Sequence, residues 1–229
     1  MRNFYLKNIP DTTVFDMPEE ESKHIARVLR MTEGDSFILL NGVDRVLEVK
    51  ITEAHPKRCK VEIVNERKPE PNKKQFHLAI APTKNLDRIE WMVEKIVEIG
   101  ATELTFLQTH RTERVNLKLE RLERVAVSAM KQAQQEVLLK INPVIDYKTF
   151  VETNQNGAIA HCLPSEKNAL GSFKLGGPVL IGPEGDFNED EIAFAKSKGY
   201  TEIHLGDSRL RTETAGMVAT VLQINSTYE

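Results

Sequence analysis

The chain has little cysteine. Of 229 residues only Cys59 and Cys162 are cysteines. They stand far apart and form no CxxC or CxxH pattern, which argues against a zinc site and against a disulfide framework. Both read as buried free thiols. No apolar run approaches the roughly 20 residues of a membrane span. The first residues, Met1-Arg2-Asn3-Phe4-Tyr5-Leu6, turn polar too soon for a signal peptide, so the expected location is cytoplasmic, with no membrane partner. An excess of one charge is missing too. Thirty-one Lys+Arg against 34 Asp+Glu leave a net charge of −3, so any RNA contact must come from a local basic face. The six histidines form no HxxxH or HExxH spacing, and no metal site is expected. His161, beside Cys162, reads as structural. A GxGxxG fingerprint and a Walker lysine are absent, which tells against a nicotinamide-dependent oxidoreductase and against phosphate cradling.

What is present is an α/β chain in two parts. Residues 36–41 and 45–51 read as strands around Gly42-Val43-Asp44, a hairpin, and residues 59–64 as a third strand. A helix from Pro18 to about Arg30 interrupts them, with Glu19, Glu20 and Glu21 in its first turn. A small barrel with one helix fits residues 1–68. Residues 69–74 are charged, proline-containing and without an apolar residue, and read as a linker.

From 75 to 229 strands and helices alternate, which implies a mainly parallel sheet. Strands are expected at 76–81, 104–107, 157–162, 179–181 and 203–205. Helices are expected at 87–99, at 117 to about 139, from Asn188 to Gly199, and from Thr214 to about 224. Asn188 with Glu191 has the pattern of a capping box, and Gly100 suits a helix end.

Two strand-exit loops carry the chemistry. Leu180-Ile181-Gly182-Pro183-Glu184-Gly185-Asp186-Phe187 joins a buried strand to a helix. Its glycines allow a tight turn and let backbone polar groups approach a flat ring. Leu205-Gly206-Asp207-Ser208-Arg209-Leu210-Arg211-Thr212-Glu213-Thr214-Ala215-Gly216 does the same some 25 residues later. Capping accounts for Thr212 and Glu213 there, but not for Arg211 just before the positive helix end. A cation in that place is explained if it faces an anion or an electron-rich base edge.

These loops resemble the signature loops of the SPOUT RNA methyltransferases, and in detail those of the 16S rRNA uracil-N3 methyltransferase family. Pro82-Thr83-Lys84-Asn85-Leu86-Asp87-Arg88-Ile89-Glu90, Lys95-Ile96-Val97-Glu98-Ile99-Gly100, Arg111-Thr112-Glu113-Arg114 and Ala129-Met130-Lys131-Gln132 occur in the family's order. So does His24-Ile25-Ala26-Arg27-Val28-Leu29-Arg30 with Gly34-Asp35. The resemblance covers essentially the whole chain. It implies a PUA-like RNA-binding β-barrel followed by a SPOUT α/β domain with a C-terminal trefoil knot, working as a homodimer. It also implies methyl transfer from S-adenosylmethionine, leaving S-adenosylhomocysteine, to N3 of a uridine in 16S rRNA of the small ribosomal subunit, without a metal.

By the same resemblance Arg211, Glu213 and Glu184 are the catalytic candidates, with either carboxylate as the proton acceptor. Leu163, Leu180, Ile181, Gly182, Pro183, Glu184, Gly185, Leu205, Gly206, Leu210 and Thr214 are the cofactor candidates. Arg2, Arg27, Arg30, Lys84, Arg88, Arg111, Arg114 and Gln132 are the RNA candidates. Two departures stand out. The family usually has Gly-Pro-Glu-Gly-Gly where this chain has Asp186 in the last place. Lys131-Gln132-Ala133-Gln134-Gln135 replaces the usual Glu-Gln-Ser-x-Arg. The rival readings are a ribose 2′-O methyltransferase acting on tRNA and a non-catalytic RNA-binding ribosome-assembly factor.

Overall fold

A computed structural model describes residues 2–70, 74–113, 115–172 and 176–226. The chain divides into two compact units, Met1–Pro71 with Met130–Leu138, and Asn72–Ala129 with Leu139–Glu229.

The first unit is a five-stranded sheet in the order β1-β3-β4-β5-β2, with β1 Asn3–Tyr5, β2 Val14–Asp16, β3 Ser36–Leu40, β4 Val46–Glu53 and β5 Lys60–Arg67. The expected hairpin is β3–β4, with Leu40 opposite Val46. Asn41 closes it by accepting from the backbone N–H groups of Val43, Asp44 and Arg45, while Gly42 takes φ +73. Phe4, Phe37, Leu39, Leu47, Val49 and Val61 fill the core, alternating with outward residues as the pleat requires.

The expected helix over 18–30 is two short pieces. α1 Glu19–Lys23 is α-helical, and His24–Val28 that follow it form a π turn. Arg30 then takes φ +54. The segment Met130–Leu138 packs with this unit. Leu138 donates its N–H to the Gly42 carbonyl at 2.8 Å, and Glu136 pairs with the Arg67 guanidinium.

The second unit is a seven-stranded sheet in the order β10-β12-β9-β11-β6-β7-β8, and every neighbouring pair is parallel. Its strands are β6 His77–Ile80, β7 Glu103–Gln108, β8 Lys140–Asp146, β9 Ala158–Ala160, β10 Asn168–Ala169, β11 Val179–Ile181 and β12 Thr201–His204. Its helices are α2 Leu86–Ile99, α3 Leu119–Gln132, α4 Tyr147–Thr153, α5 Glu189–Ser197 and α6 Thr212–Ile224. The central β9, β11 and β6 read as continuous apolar runs because helices cover both faces.

α2 starts where Asn85 accepts from the Asp87 N–H and ends at Gly100 with φ +109. α5 has the expected capping box. The Asn188 side chain accepts from the Glu191 N–H at 2.8 Å, and Glu191 accepts from the Asn188 N–H at 2.9 Å.

α3 ends earlier than its sequence pattern implies. Gln134 takes φ +56, its N–H reaches the Lys131 carbonyl, and the Gln135 N–H reaches the Met130 carbonyl. These are the bonds of a Schellman stop, made here without glycine. Residues 140–153, to which the sequence reading assigned no element, form β8 and α4. Asp146 caps α4 by accepting from the Thr149 N–H. Among the described residues no helix is long and apolar enough to cross a membrane.

Candidate active site

Three adjacent parallel strands end on one cavity of about 710 Å³ in the second unit. β9 runs out through Ala160, His161 and Cys162, β11 through Ile181 to Glu184, and β12 through Ile203 to Leu210. In open parallel sheets ligands settle at the carboxyl ends of the strands. The volume lies within the roughly 300–1,000 Å³ of small-molecule sites.

The first wall is a turn. The Asp186 N–H donates to the Pro183 carbonyl at 2.9 Å, closing Pro183-Glu184-Gly185-Asp186. A side chain at Gly182 would put its Cβ 3.0 Å from the Phe187 nitrogen, so the turn folds back on a glycine because nothing larger fits comfortably. Asp186 itself takes φ +65. Its Oδ2 accepts the Cys162 N–H at 2.7 Å and its Oδ1 accepts the Phe187 N–H at 2.8 Å. The Cys162 thiol is exposed, and partial burial and the Asp186 carboxylate push its titration up.

The second wall is the loop into α6. Gly206 takes φ +131 and leaves open space around its Cα. Arg211, expected just before the helix, is its N-cap residue, with an extended backbone and no side-chain cap. The reading of Thr212 as the cap is corrected. Thr212 is the first helical residue and is buried, so its hydroxyl does not close the helix end. Arg211 is exposed and lines the cavity together with Arg209 and Asp207.

Glu213 stands apart. It is buried and does not line the cavity; its Oε1 lies 3.6 Å from the Nε of Arg88 on α2, and among the described residues its Oε2 has no hydrogen-bond partner. Glu184 is exposed, lines the cavity, and accepts the Lys84 N–H at 3.2 Å. The Lys84 ammonium in turn pairs with Glu113 at 2.8 Å. One carboxylate therefore faces the ligand space and the other holds a neighbouring helix.

His161 is almost wholly buried and bonds through Nε2 to Glu202 Oε1 at 3.1 Å. Burial and Lys167 hold it below the ordinary histidine range, more than Glu202 raises it. A neutral ring donating from Nε2 leaves Nδ1 as an acceptor, and that buried atom has no partner among the described residues.

Of the cofactor candidates, Ile181, Gly182, Pro183, Glu184, Leu205, Gly206 and Leu210 line the cavity. Leu180 points into the core, and Leu163 packs against that same cluster. Gly185 lies outside the lining, where its carbonyl takes the Arg111 guanidinium. Thr214 is in the first turn of α6 and does not line the cavity. The sequence reading did not name Ala160, Lys167, Ile203, His204 or Ala215 as lining residues. The signal that would have found Ala160 is its place at the end of β9 within one parallel sheet.

The RNA candidates divide between the two units. Arg2, Arg27 and Arg30 are exposed on the first, as is Gln132 at the end of α3. Lys84 and Arg111 are exposed on the second, and Arg88 is half-buried against Glu213. Arg114 lies outside the described residues.

Residues 70–223 match the model of the RNA methyltransferase domain, and residues 18–64 match that of the RNA methyltransferase PUA domain. The chain is 30% identical over 236 residues to the ribosomal RNA small subunit methyltransferase E of Buchnera aphidicola, covering 96% of this chain and 91% of that protein. A crystal structure of a probable rRNA-methyltransferase from Porphyromonas gingivalis is 37% identical with a TM-score of 0.89, over 97% of this chain and 98% of that one. A Legionella pneumophila protein solved in complex with the bound cofactor SAM is 26% identical with a TM-score of 0.79, over 96% of each chain.

Proposed function

The chain belongs to the RNA methyltransferase family, in its branch of ribosomal RNA small subunit methyltransferase E, with a PUA domain ahead of an α/β domain, and from that premise we propose that it methylates N3 of a uridine in small-subunit rRNA at the expense of S-adenosylmethionine. The observation that carries this reading is the convergence of three strand ends on one cavity walled by Glu184 and Arg211.

The cavity suits S-adenosylmethionine by its donor set. Gly182 and Gly206 leave backbone groups open to a flat adenine, and Lys167, Arg209 and Arg211 line the space together with Glu184, Asp186 and Asp207, charges of both signs as a zwitterionic nucleoside needs. When bound, S-adenosylmethionine supplies a sulfonium methyl, an electrophile that needs no further activation. The chain's own work is alignment and proton handling.

N3 lies on the pairing edge of uracil, so the base must be unpaired or drawn out of a helix to reach the site. Its N3 proton must leave before the nitrogen can attack. Arg211, held at the N-cap by the fixed start of α6, stabilises the negative charge that then spreads onto the uracil carbonyl oxygens. Of the two glutamates named as candidates, Glu184 is the proton acceptor, because it is the one exposed on the cavity wall. Glu213 is a positioning residue that fixes Arg88 and the first turn of α6.

Arg2, Arg27, Arg30, Lys84, Arg88, Arg111, Arg114 and Gln132 are assigned to the RNA. The homodimer and the C-terminal trefoil knot are part of the same reading, as are a cytoplasmic location and the small ribosomal subunit as substrate context.

The test is transfer of labelled methyl from S-adenosylmethionine to small ribosomal subunits that lack the modification. Incorporation into RNA is expected, and its loss in Glu184→Gln. Absence of label from RNA, with the cofactor bound, overturns the enzymatic reading in favour of a binding protein.

A further inference from the structure

Two walls of the cavity are tied together at one residue, Asp186. Asp186 follows Gly182-Pro183-Glu184-Gly185 and sits at φ +65, a conformation in which glycine is unstrained and an aspartate is tolerated through local hydrogen bonding. Both of its oxygens are engaged by backbone donors. Oδ1 takes the next N–H, of Phe187, at 2.8 Å, which fixes the rotamer. Oδ2 takes the Cys162 N–H at 2.7 Å across the cavity rim, 24 residues away in sequence. The turn that presents the carboxylate is itself closed by the Asp186 N–H on the Pro183 carbonyl at 2.9 Å.

Glycine at this position leaves the backbone course intact and removes the tie. With no carboxylate the Cys162 N–H loses its partner, and with it this tie between the exit of β9 and the exit of β11. Asp186 also lines the cavity, so its negative charge faces whatever binds there.

We propose that Asp186 is a positioning residue for the cofactor, which clamps the β9 exit at Cys162 to the Pro183–Asp186 turn, and whose charge makes the cavity prefer cationic S-adenosylmethionine over neutral-sulfur S-adenosylhomocysteine. The two ligands share adenine, ribose and the amino-acid tail. They differ by the methyl group and by the charge on sulfur, so a wall carboxylate acts on their ratio where a purely structural residue does not. Two unit charges on the order of 10 Å apart set the scale for a cavity of about 710 Å³. At an effective dielectric constant near 20 that is worth about a tenfold preference or somewhat more, and less where water enters. The consequence is relief of inhibition by the product. The inference rests on the methyltransferase reading of the same site.

The test is calorimetric titration of S-adenosylmethionine and of S-adenosylhomocysteine into the full chain and into Asp186→Gly and Asp186→Asn. In Asp186→Gly the affinity for S-adenosylhomocysteine is expected to fall about tenfold, as for a lost charge-assisted bond that preorganises a site, and that for S-adenosylmethionine about three- to tenfold further, because the charge goes with the clamp. In Asp186→Asn, which keeps one acceptor for two donors and no charge, the ratio of the two affinities is expected to narrow about three- to tenfold. Unliganded melting temperatures are expected to stay within a few degrees of the parent for both, because the left-handed backbone suits glycine and asparagine. Parental affinity in Asp186→Gly overturns the clamp, and so does a collapse of its melting temperature, which would place the residue in fold stability. A parental ratio in Asp186→Asn overturns the charge preference. A parent chain that binds neither ligand overturns the methyltransferase reading itself.

Discussion

Arg88 on α2 and Glu213 in the first turn of α6 hold each other at 3.6 Å, the carboxylate buried and the guanidinium partly open to solvent. Glu213 would otherwise be a buried charge with only the helix N-terminus to balance it. Arg88→Ala is expected to destabilise the second unit by about 1–3 kcal/mol, the cost of leaving a buried polar group without its partner. In a cycle with Glu213→Ala, urea denaturation is expected to show a coupling of at least about 0.5 kcal/mol. Additive effects would mean the two side chains do not hold each other.

Arg211 is exposed on the cavity wall, where the proposed mechanism has it touch the reacting base. Arg211→Ala is expected to lower single-turnover methylation about 10²- to 10³-fold while the calorimetric affinity for S-adenosylmethionine changes less than about threefold. Equal loss of both would move Arg211 from the reacting base to the cofactor.

The two cysteines differ in access. Cys59 is buried and its thiol is pushed up to about 11 by burial, whereas Cys162 is exposed on the cavity rim. Iodoacetamide followed by peptide mass spectrometry is expected to label Cys162 alone in the native chain, slowly, and S-adenosylmethionine is expected to protect it. Labelling at an unchanged rate with saturating cofactor would place the ligand elsewhere.

Two histidines set the acid limb of stability. His77 bonds through Nε2 to Thr105 at 2.8 Å, and burial holds both it and His161 below the ordinary histidine range. Near pH 6.5 the unfolded chain takes up protons that the folded chain refuses, so stability is full above that pH and falls below it. Glu103, Glu136 and Glu202 are held below the usual carboxylate range, so their contribution survives until about pH 4 and is lost below. Between pH 7 and 5 the urea midpoint is therefore expected to fall, with a shallower fall in His77→Gln. A midpoint that stays level or rises over that range would contradict the histidine assignment.

Gly157, at the entrance of β9, marks a close approach. A Cβ there would meet the Pro178 carbonyl oxygen at 2.2 Å and the Tyr200 ring at 2.6 Å. Gly157→Ala is expected to cost about 3 kcal/mol or more in denaturation experiments, against almost nothing for Gly176→Ala, which has open space around it. A small effect at Gly157 would mean that β9 shifts freely under its neighbours.

Much of this was legible in the residues because local chemistry and fold agree. The Asn188–Glu191 capping box, the Gly100 stop and the β3–β4 hairpin each carry a side chain or glycine that the backbone needs. The end of α3 was not legible, because the Schellman stop falls on Gln134, a residue with no preference for positive φ. β8 and α4 were missed because residues 140–146 are only half buried at the sheet edge and show no clean period. β1 and β2 are three residues each, too short for any alternation to show. At the site, the loops from 180 to 187 and 205 to 216 could be found in one dimension. The contribution of Ala160 to Cys162 could not, since it depends on β9 lying between β11 and β12. The division of labour between Glu184 and Glu213 needed burial, which places one carboxylate on the cavity and the other beneath it.

The most direct measurement is nucleoside mass spectrometry of small ribosomal subunits that lack the modification, after incubation with this protein and S-adenosylmethionine. The account predicts one new methylated nucleoside, N3-methyluridine, and its absence with Arg211→Ala. A ribose-methylated nucleoside, or none from a preparation that binds the cofactor, would contradict it.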